Sequence, residues 1–453
     1  MKHSIFTLLI CLFISFACFS QNSEKEIEKL MSQMTLKEKV GQLIMIGADT
    51  DLNKKYCEKI LKDIDSNKVG GVCFFKGKSD NLPKLINKYN SVCKIPLLVS
   101  IDGEWSLSMR LTDLAPFPRA MAFGALDSSD YSLVYQQANI IGKQCNTLGI
   151  HINFAPAVDI NLNPANPVIN TRSFGQNKWR VSLLSEQYIK GLQDNNVMAV
   201  IKHFPGHGDT DLDSHLSLPT INHSKDFIDT VDLIPFKYNI EKGVWGAMIA
   251  HLNVPALNKK YTYPASINPD IIQRYLIDKL KFEGLIFTDA MNMKGLTNDY
   301  PDGRAQVLAL KAGVDILLMP NNTDSAMNAI LLAIEKGELS KQLIEEKCRK
   351  VLEWKYKLGV MNPKAEPKAL TKKQKAEIEQ LCDSIAPKIL TLLENKDNII
   401  PLNAKDTNEV IFVSLDDKDY SCFIKQAKKY KEIISYSFEK KSLNEDLEKL
   451  LNV

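Results

Sequence analysis

Short apolar segments alternate with longer amphipathic segments along most of the chain. Eight of the apolar segments have the length of a β-strand, and most are apolar at consecutive rather than alternate positions. That pattern is typical of parallel strands in a sheet that helices cover on both faces. The predicted strands are Gly41–Ile46, Val69–Phe75, Pro96–Ile101, Gly149–Phe154, Val197–His203, Trp245–His251, Gly284–Asp289 and Asp315–Leu318.

Amphipathic segments of helical length follow or separate these strands. The predicted helices are Asp130–Leu148, Arg180–Asn195, Asn268–Lys281, Asp302–Ala312, Thr323–Glu335 and Ser340–Leu358. Eight strand–helix repeats within about 330 residues predict the α/β class and a TIM-type (β/α)8 barrel. A doubly wound open sheet is the structural alternative, but it requires a crossover in strand order that the sequence does not reveal.

The start of a smaller α/β domain is predicted after the barrel. Residues 25–360 are assigned to the barrel, residues 361–402 to a linker and a helix, and residues 403–453 to the smaller domain. About 50 residues are few for an independent hydrophobic core, so we expect the smaller domain to be incomplete. The predicted elements here are a helix at Thr371–Leu393, a strand at Glu409–Leu415, a helix at Asp419–Tyr430 and a strand at Glu432–Ser437.

Residues 1–20 have the pattern of a secretory signal peptide. Lys2 and His3 precede an apolar run, and small residues lead to a predicted cleavage site after Ser20. The run is short for a membrane span, and we expect no integral membrane segment beyond it. We therefore expect export to the periplasm or the extracellular space. Lipid attachment at Cys18 ranks second, because Ser15 stands where a leucine is usual, and an uncleaved anchor is the remaining alternative.

The composition is that of an ordinary globular protein, with 45% hydrophobic and 25% charged residues. The 57 basic and 54 acidic residues almost cancel, so nothing predicts a nucleic-acid partner, which a clustered basic excess would indicate. Of nine cysteines, Cys11 and Cys18 lie in the leader, and the others are widely spaced without a C-x-x-C motif. We expect buried free thiols rather than a disulfide framework or a metal site.

Ionisable residues stand at the ends of the predicted strands, where barrel enzymes carry their active sites. Asp102 follows the third strand, Lys202 and His203 end the fifth, His251 ends the sixth, and Asp289 ends the seventh. A carboxylate in the position of Asp289 is placed for a nucleophile or a base, although capping of the next helix is an equal alternative.

The densest group of ionisable residues is the segment from Lys202 to His215, which contains three His, three Asp and one Lys. Pro205, Gly206 and Gly208 predict a tight loop, which is a poor place for packing and a good one for binding and proton transfer. Within it, Asp213 can accept a hydrogen bond from one ring nitrogen of His215 and raise the basicity of the other. A histidine held in this way can give and take a proton.

Two further segments add candidate sugar-binding residues. In Ser100-Ile101-Asp102-Gly103-Glu104-Trp105, Asp102 is followed eight positions later by Arg110, and an Asp paired with an Arg can bind adjacent hydroxyl groups. In Asn170-Thr171-Arg172-Ser173-Phe174-Gly175, Arg172 lies in the long loop after the fourth strand. A surface salt bridge is the alternative interpretation of Arg172.

Together these segments resemble glycoside hydrolase family 3, in its β-N-acetylglucosaminidase branch. The run Lys202-His203-Phe204-Pro205-Gly206-His207-Gly208-Asp209-Thr210, followed by Asp213-Ser214-His215, is similar to the signature of that branch nearly residue for residue. The resemblance covers about residues 25–360, the length of a whole barrel. It weakens from Ile389 into the start of the family's second domain, an α/β sandwich.

The resemblance implies an enzyme, an exported β-N-acetylhexosaminidase that hydrolyses terminal β-linked N-acetylglucosamine with retention of configuration and without a cofactor or metal. It implies that Asp289 is the nucleophile and that His215, oriented by Asp213, is the acid/base. It further implies that the sugar is bound by Asp102, Arg110, Arg172, Lys202 and His203, with His251 as an additional candidate. Export is consistent with a role in peptidoglycan turnover.

Three alternatives stay open. The first is a β-glucosidase or xylosidase of the same family. The second is a metal-dependent hydrolase that uses as ligands His203, His207, Asp209, Asp213 and His215. The third is a carbohydrate-binding protein without catalytic activity. The natural glycan, the use of phosphate in place of water, and the oligomeric state are not fixed by the sequence.

Overall fold

A computed structural model describes residues 23–212, 217–261, 263–301, 303–398, 400–401, 410–414 and 420–437. The chain divides into two compact units, Met1–Leu390 and Thr391–Val453.

The first unit is built around eight parallel strands. These are β1 Ile44–Ala48, β2 Gly71–Phe74, β3 Leu98–Ile101, β4 Ile152–Asn153, β5 Met198–Phe204, β6 Gly246–Ile249, β7 Leu285–Thr288 and β8 Leu317–Leu318. Their order is β7-β6-β5-β4-β3-β2-β1-β8. A parallel bridge between Phe287 and Ile316 brings the two ends of the sheet together. The predicted α/β class and TIM-type barrel are confirmed, and the alternative of an open, doubly wound sheet is wrong.

Helices surround the barrel. They are α1 at residues 23–33, α2 Leu36–Gly41, α3 Lys54–Asn67, α4 Leu82–Asn90, α5 Ala120–Phe123, α6 Ser132–Leu148, α7 Lys178–Gln193, α8 Lys225–Phe227, α9 Ile234–Glu241, α10 Pro269–Ile271, α11 Lys294–Thr297, α12 Arg304–Ala312, α13 Thr323–Glu335, α14 Lys341–Lys357 and α15 Lys372–Ile389. Ile228–Asp232 and Ile272–Lys279 are π-helical.

The strands are buried on both faces because barrel side chains fill one face and helices cover the other. All residues of β2, β3, β5, β6 and β7 are buried. Branched and aromatic side chains such as Val99, Ile201 and Phe287 are fully enclosed. This double coverage explains why the strands are apolar at consecutive positions.

The second unit contains one strand pair, one α-helix and a short 3-10 turn at Lys396–Asn398 among its described residues. Strands β9 Val410–Ser414 and β10 Ile433–Ser437 are parallel and in register, from the pair Ile433 and Val410 to the pair Ser437 and Ser414. Helix α16 Ser421–Ala427 connects them. Such a β–α–β connection belongs to the α/β class.

The six cysteines whose side chains the structure describes are free thiols, four of them buried. Burial raises the pKa of the Cys73 thiol to about 11. These thiols therefore pack as small apolar groups. Over the described ranges, every helix is too short or too polar to traverse a lipid bilayer.

Candidate active site

A cavity of about 500 Å³ opens at the carboxyl-terminal ends of the strands, a size typical of small-molecule sites. Its wall includes six of the residues singled out in the sequence: Asp102, Arg110, Arg172, Lys202, His203 and Asp289. The remaining wall is mostly apolar and includes Phe75, Met109, Phe154, Met248, Met293 and Met319. The barrel therefore brings polar groups from distant parts of the sequence to one apolar-walled pocket.

Lys202 holds two carboxylates together on one side of the cavity. Its Nζ lies 2.6 Å from Asp102 Oδ1 and 2.7 Å from Glu104 Oε1, and its side chain is only 2% exposed. The other oxygen of Asp102 accepts a hydrogen bond from Arg110. A buried charge without a partner is costly, and here each charge has one. Asp102 is thus fixed between two cations at the cavity wall.

Arg172 forms a forked ion pair with Glu104. Its Nε lies 2.9 Å from Oε2 and its Nη2 lies 2.6 Å from Oε1. Burial raises the pKa of Glu104, but Arg172 and Lys202 outweigh it and hold that pKa well below its usual value. The pair orients the guanidinium rigidly. Arg172 is therefore part of the cavity wall and not of a surface salt bridge.

His203 is oriented from both sides of its ring. Arg172 Nη2 lies 3.1 Å from Nε2, and Asp159 Oδ2 lies 2.7 Å from Nδ1. Because a guanidinium can only donate, Nε2 must accept in this hydrogen bond, which places the proton on Nδ1, facing Asp159. Burial raises the pKa of Asp159, but His203 and His207 lower it by more than burial raises it. The pKa of Asp159 is therefore below its usual value. Hydrogen bonds to Arg172 and Asp159 thus fix the position of the His203 ring.

The turn at residues 206–210 follows β5 and carries His207 into the cavity wall. The His207 N–H donates to Asp159 Oδ1 over 2.7 Å, and Asn166 Nδ2 donates to the His207 carbonyl oxygen over 2.8 Å. Gly208 passes so close to the neighbouring loop that a Cβ atom there would lie 1.6 Å from the Ile160 carbonyl oxygen. Only glycine fits this approach. Burial lowers the pKa of His207 to about 4.

Asp289 stands directly after β7. Its N–H donates to the Ile249 carbonyl oxygen over 2.9 Å, which extends the pairing with β6, and its Oδ1 accepts from the Ala290 N–H over 2.8 Å. Burial raises its pKa, but His203, His251 and the Ala290 N–H together hold that pKa below its usual value. Met293, not Asp289, is the N-cap of the next helix. The capping alternative is therefore wrong, and the carboxylate is ionised in the cavity wall.

His251 lies one layer further inside the protein. It is fully buried, with Nδ1 2.6 Å from Ser266 Oγ and Nε2 3.1 Å from the carbonyl oxygen of Ala290. Since a carbonyl oxygen can only accept, Nε2 carries a proton. His251 thus touches the cavity wall from behind, through Ala290, and its assignment to sugar binding stays a prediction.

Residues 35–354 match the family model described as Glycosyl hydrolase family 3 N terminal domain. The match covers more than half of the 453 residues. The chain belongs to glycosyl hydrolase family 3. The family resemblance of the Lys202–Thr210 segment is thereby confirmed.

Two curated relatives in family 3 extend the match in sequence. The chain is 30% identical over 389 residues to "Beta-hexosaminidase A" of Pseudoalteromonas piscicida, covering 79% of this chain and 64% of that protein. It is 27% identical over 342 residues to "Beta-N-acetylglucosaminidase/beta-glucosidase" of Cellulomonas fimi, covering 74% of this chain and 60% of that protein. The chain thus spans less than two thirds of the length of either relative.

A solved family 3 structure extends the match in three dimensions. The β-N-acetylglucosaminidase of Paenibacillus sp. str. FPU-7 superimposes with a TM-score of 0.80 at 29% sequence identity. The superposition covers 93% of this chain and 83% of that chain. Similarity at this level establishes a shared fold, whereas function has to be argued from the site.

The two residues predicted for proton transfer in family 3 chemistry, Asp213 and His215, lie outside the described residues. Their roles therefore stay predictions. The metal-dependent alternative also stays open, because it includes both of them. Among the described residues, no group of three or more His, Cys, Asp or Glu side chains is arranged to hold a metal ion.

Sequence reasoning missed two residues that organise this family 3 cavity. Glu104 joins Lys202 to Arg172, and Asp159 orients His203. His207, which the sequence offered only within the family signature and as a possible metal ligand, lines the wall beside them. Glu104 could have been found as the second acidic residue after β3, and Asp159 as a lone acid in an apolar segment after β4. Nothing in the sequence marked the methionines of the cavity wall.

Proposed function

We propose that this chain is an exported, retaining β-glycosidase that removes terminal β-linked N-acetylglucosamine from glycans. The observation that carries the proposal is the cavity itself. It combines an ionised Asp289 with a fixed set of hydrogen-bonding groups that suits a sugar ring, namely Asp102, Lys202, Arg172 and His203. In most retaining glycosidases a carboxylate in such a pocket is the nucleophile.

In the first step, Asp289 attacks the anomeric carbon while the bond from that carbon to the leaving oxygen breaks. Oδ1 accepts from the Ala290 N–H, so we assign the attack to Oδ2. His215, oriented by Asp213, transfers its proton to the leaving oxygen, which departs as an alcohol. The products of this step are a glycosyl ester of Asp289 and an unprotonated His215.

In the second step, water attacks the same carbon from the side that the leaving group vacated. His215 takes the proton from water, the ester bond breaks, and Asp289 is released as a carboxylate. Two displacements at one carbon retain its configuration. A neutral imidazole carries no charge that would repel an anion, so phosphate can replace water in this step.

Substrate binding is assigned to the ion network of the cavity. Asp102, held by Lys202 and Arg110, can accept hydrogen bonds from adjacent sugar hydroxyls. Arg172, held by Glu104, adds fixed donors beside them. Side chains that are already fixed before binding lose little conformational entropy when the sugar binds. This favours both the affinity for the sugar and its orientation.

The identity of the sugar rests on the relatives. The Paenibacillus and Pseudoalteromonas proteins are named as a β-N-acetylglucosaminidase and a beta-hexosaminidase, respectively. The name of the Cellulomonas protein includes β-glucosidase as well. A β-glucosidase is therefore the second candidate, and export makes peptidoglycan fragments the first substrates to examine.

The nucleophile is tested with 4-nitrophenyl N-acetyl-β-glucosaminide, β-glucoside and β-xyloside. We expect turnover of the first substrate, and a loss of about 10⁴-fold or more in kcat for Asp289→Ala. Asp299→Asn is a matched control, because Asp299 is an exposed acid in the same connection after β7. Near-normal turnover by Asp289→Ala would refute the assignment.

The acid/base is tested separately with His215→Ala. We expect a large loss of rate on 4-nitrophenyl N-acetyl-β-glucosaminide and partial recovery on addition of azide, a small nucleophile that needs no base. The recovered product should be the β-glycosyl azide. An α-glycosyl azide would contradict a mechanism of two displacements. Export is tested by sequencing the amino terminus of the protein from a secreting host, where cleavage after Ser20 is expected.

A further inference from the structure

A second group of ionisable side chains lies beside the cavity turn. His223 Nδ1 is 2.7 Å from Asp232 Oδ2, and its Nε2 is 2.7 Å from Asp209 Oδ2. The three side chains are 17%, 11% and 38% exposed, with Asp209 the most accessible. This His223 bridge plays no part in the proposed chemistry, since its members lie outside the cavity wall described above.

The bridge requires a proton on each ring nitrogen. An ionised carboxylate can only accept a hydrogen bond, and a neutral imidazole has a single N–H. Both contacts together therefore need an imidazolium. Burial lowers the pKa of His223, but Asp232 and Asp209 raise it by more. Burial raises the pKa of Asp232 to about 6, with Asp209 and Asp159 adding to the effect of burial.

The bridge joins two parts of the connection between β5 and β6. Asp209 belongs to the turn at residues 206–210, whereas His223 and Asp232 follow 14 and 23 positions later, before and within the π-helical segment. Asp232 also packs against the start of the turn, because a Cβ atom at Gly206 would lie 3.2 Å from the Asp232 Cβ. The bridge thus contacts the turn near both of its ends.

The turn is held from a second direction by the loop after β4. Asp159 accepts from the His207 N–H, and Asn166 donates to the His207 carbonyl oxygen. The turn therefore lies between two sets of polar contacts, and removal of either leaves it attached on one side only. Three and five residues beyond the turn the chain reaches Asp213 and His215, respectively.

We propose that His223 is a positioning residue, which by bridging Asp209 and Asp232 fixes the turn that leads into the acid/base pair Asp213 and His215. The proposal rests on the proposed glycosidase function. It predicts a specific defect, because His223 touches no reacting atom. Loss of the bridge should impair proton transfer to the leaving group, while Asp289 and the sugar-binding network remain in place.

The test compares kcat/KM on two N-acetyl-β-glucosaminides that differ in their need for protonation. The 4-nitrophenyl leaving group departs almost unaided, whereas the phenyl leaving group needs a proton. For His223→Ala we expect a loss of about 30-fold or more with phenyl and about 5-fold or less with 4-nitrophenyl, within the range that general acid catalysis supplies. Equal losses on both substrates, or no loss on either, would overturn the proposal.

Two further variants separate positioning from folding. Asp209→Ala opens the bridge at its most exposed end without leaving a buried group unpaired. It should also lower kcat/KM more with the phenyl than with the 4-nitrophenyl substrate, but by a smaller factor than His223→Ala. Lys279→Met is the matched control, because it removes an ion pair of 2.6 Å to Asp229 in the same π-helical segment and leaves the bridge intact. It should change both rates by less than about twofold, as surface pairs contribute little.

A readout that is independent of activity is hydrogen exchange of the backbone amides of residues 204–212. His223→Ala should accelerate exchange there by about tenfold or more relative to the wild type, and Lys279→Met should not, because local opening follows lost tertiary contacts. Unchanged exchange in His223→Ala refutes the positioning role even if every sugar substrate fails. A wild type with no turnover would instead refute the proposed function and leave the exchange result standing.

Discussion

Two fully buried lysines lie at opposite ends of the barrel, in different surroundings. Lys202, at the carboxyl end of β5, is paired with the carboxylates of Asp102 and Glu104. Lys355, on α14, donates at the amino end to Gln42 Oε1 and to the Pro96 carbonyl oxygen, each over 2.7 Å. Burial lowers the pKa of Lys355 to about 7. One lysine thus neutralises acids, and the other connects neutral oxygens.

Two histidines show a similar contrast in the charges of their partners. At the carboxyl end, His203 lies between Asp159 and Arg172. At the amino end, His151 Nδ1 accepts the Val99 N–H over 3.1 Å, and burial lowers its pKa to about 4. The amino end therefore uses ionisable residues as neutral hydrogen-bonding groups. The carboxyl end keeps Lys202, Arg172 and Asp289 charged, where a sugar can reach them, and places His203 between charged partners, as expected for a barrel enzyme.

The largest difference between the two ends should appear on removal of the Lys202 charge. Lys202→Met leaves Asp102 and Glu104 buried with fewer cations, so we expect kcat/KM to fall by about 10³-fold, the range typical of a lost electrostatic group. The free energy of unfolding should fall by about 3 kcal/mol, because Asp102 and Glu104 each lose one buried charged hydrogen bond and keep only Arg110 and Arg172, respectively. Steady-state kinetics and urea unfolding measure the two effects.

The double variant Lys202→Met with Glu104→Gln tests whether the charge of Glu104 causes part of that loss. If the loss comes from the Glu104 charge that Lys202 no longer offsets, the second substitution should recover part of it while activity stays low. A double variant less stable than Lys202→Met would show that Glu104 is held by Arg172 alone. The comparison between the two barrel ends would then lose its electrostatic basis.

A smaller loss is expected from Arg172→Lys, which keeps the charge and removes the fork. A lysine cannot reproduce the two parallel hydrogen bonds to Glu104 or the contact with His203 Nε2, so kcat/KM should fall by about 30-fold. Stability should fall by about 1 kcal/mol, since one charged hydrogen bond remains. A variant with unchanged kinetics would show that charge alone, without geometry, is sufficient at the carboxyl end.

The strands were predictable from sequence because their burial on both faces leaves continuous apolar runs, but their first residues were not. Gly149 was assigned to the fourth strand, yet it ends α6 with a φ of 82°, and β4 begins at Ile152. Similarly, Gly41 was assigned to the first strand and belongs to α2. Helix ends and strand starts share small and apolar residues, so local patterns alone do not separate them.

The charged residues of the site were predictable where the chain itself places them, directly after a strand. Asp102, Lys202 and Asp289 were found in this way. Glu104 and Asp159 were not, because their importance lies in partners 98 and 44 positions away, Lys202 and His203. Such pairings exist only after folding. Sequence position identifies the groups that face the cavity, and tertiary structure identifies those that hold them.

Lys355→Met should have the smallest effect on activity. It is also the most direct test of whether the amino end of the barrel uses ionisable residues in their neutral form. Because Lys355 is remote from the cavity, kcat/KM should stay within about twofold of the wild type. The unfolded chain holds a proton on Lys355 up to its ordinary pKa of about 10.4, whereas the folded chain releases it near pH 7. Between these values the unfolded state binds more protons, so wild-type stability should rise with pH relative to the variant.

The expected slope is at most about 1.4 kcal/mol per pH unit, the limit for one proton. Urea unfolding of both proteins at pH 7, 8 and 9 measures it as a difference, in which the titrations common to both chains cancel. A difference that stays flat over this range would mean that Lys355 keeps its proton in the folded protein. That result would remove the contrast with Lys202, because both lysines would then be buried cations.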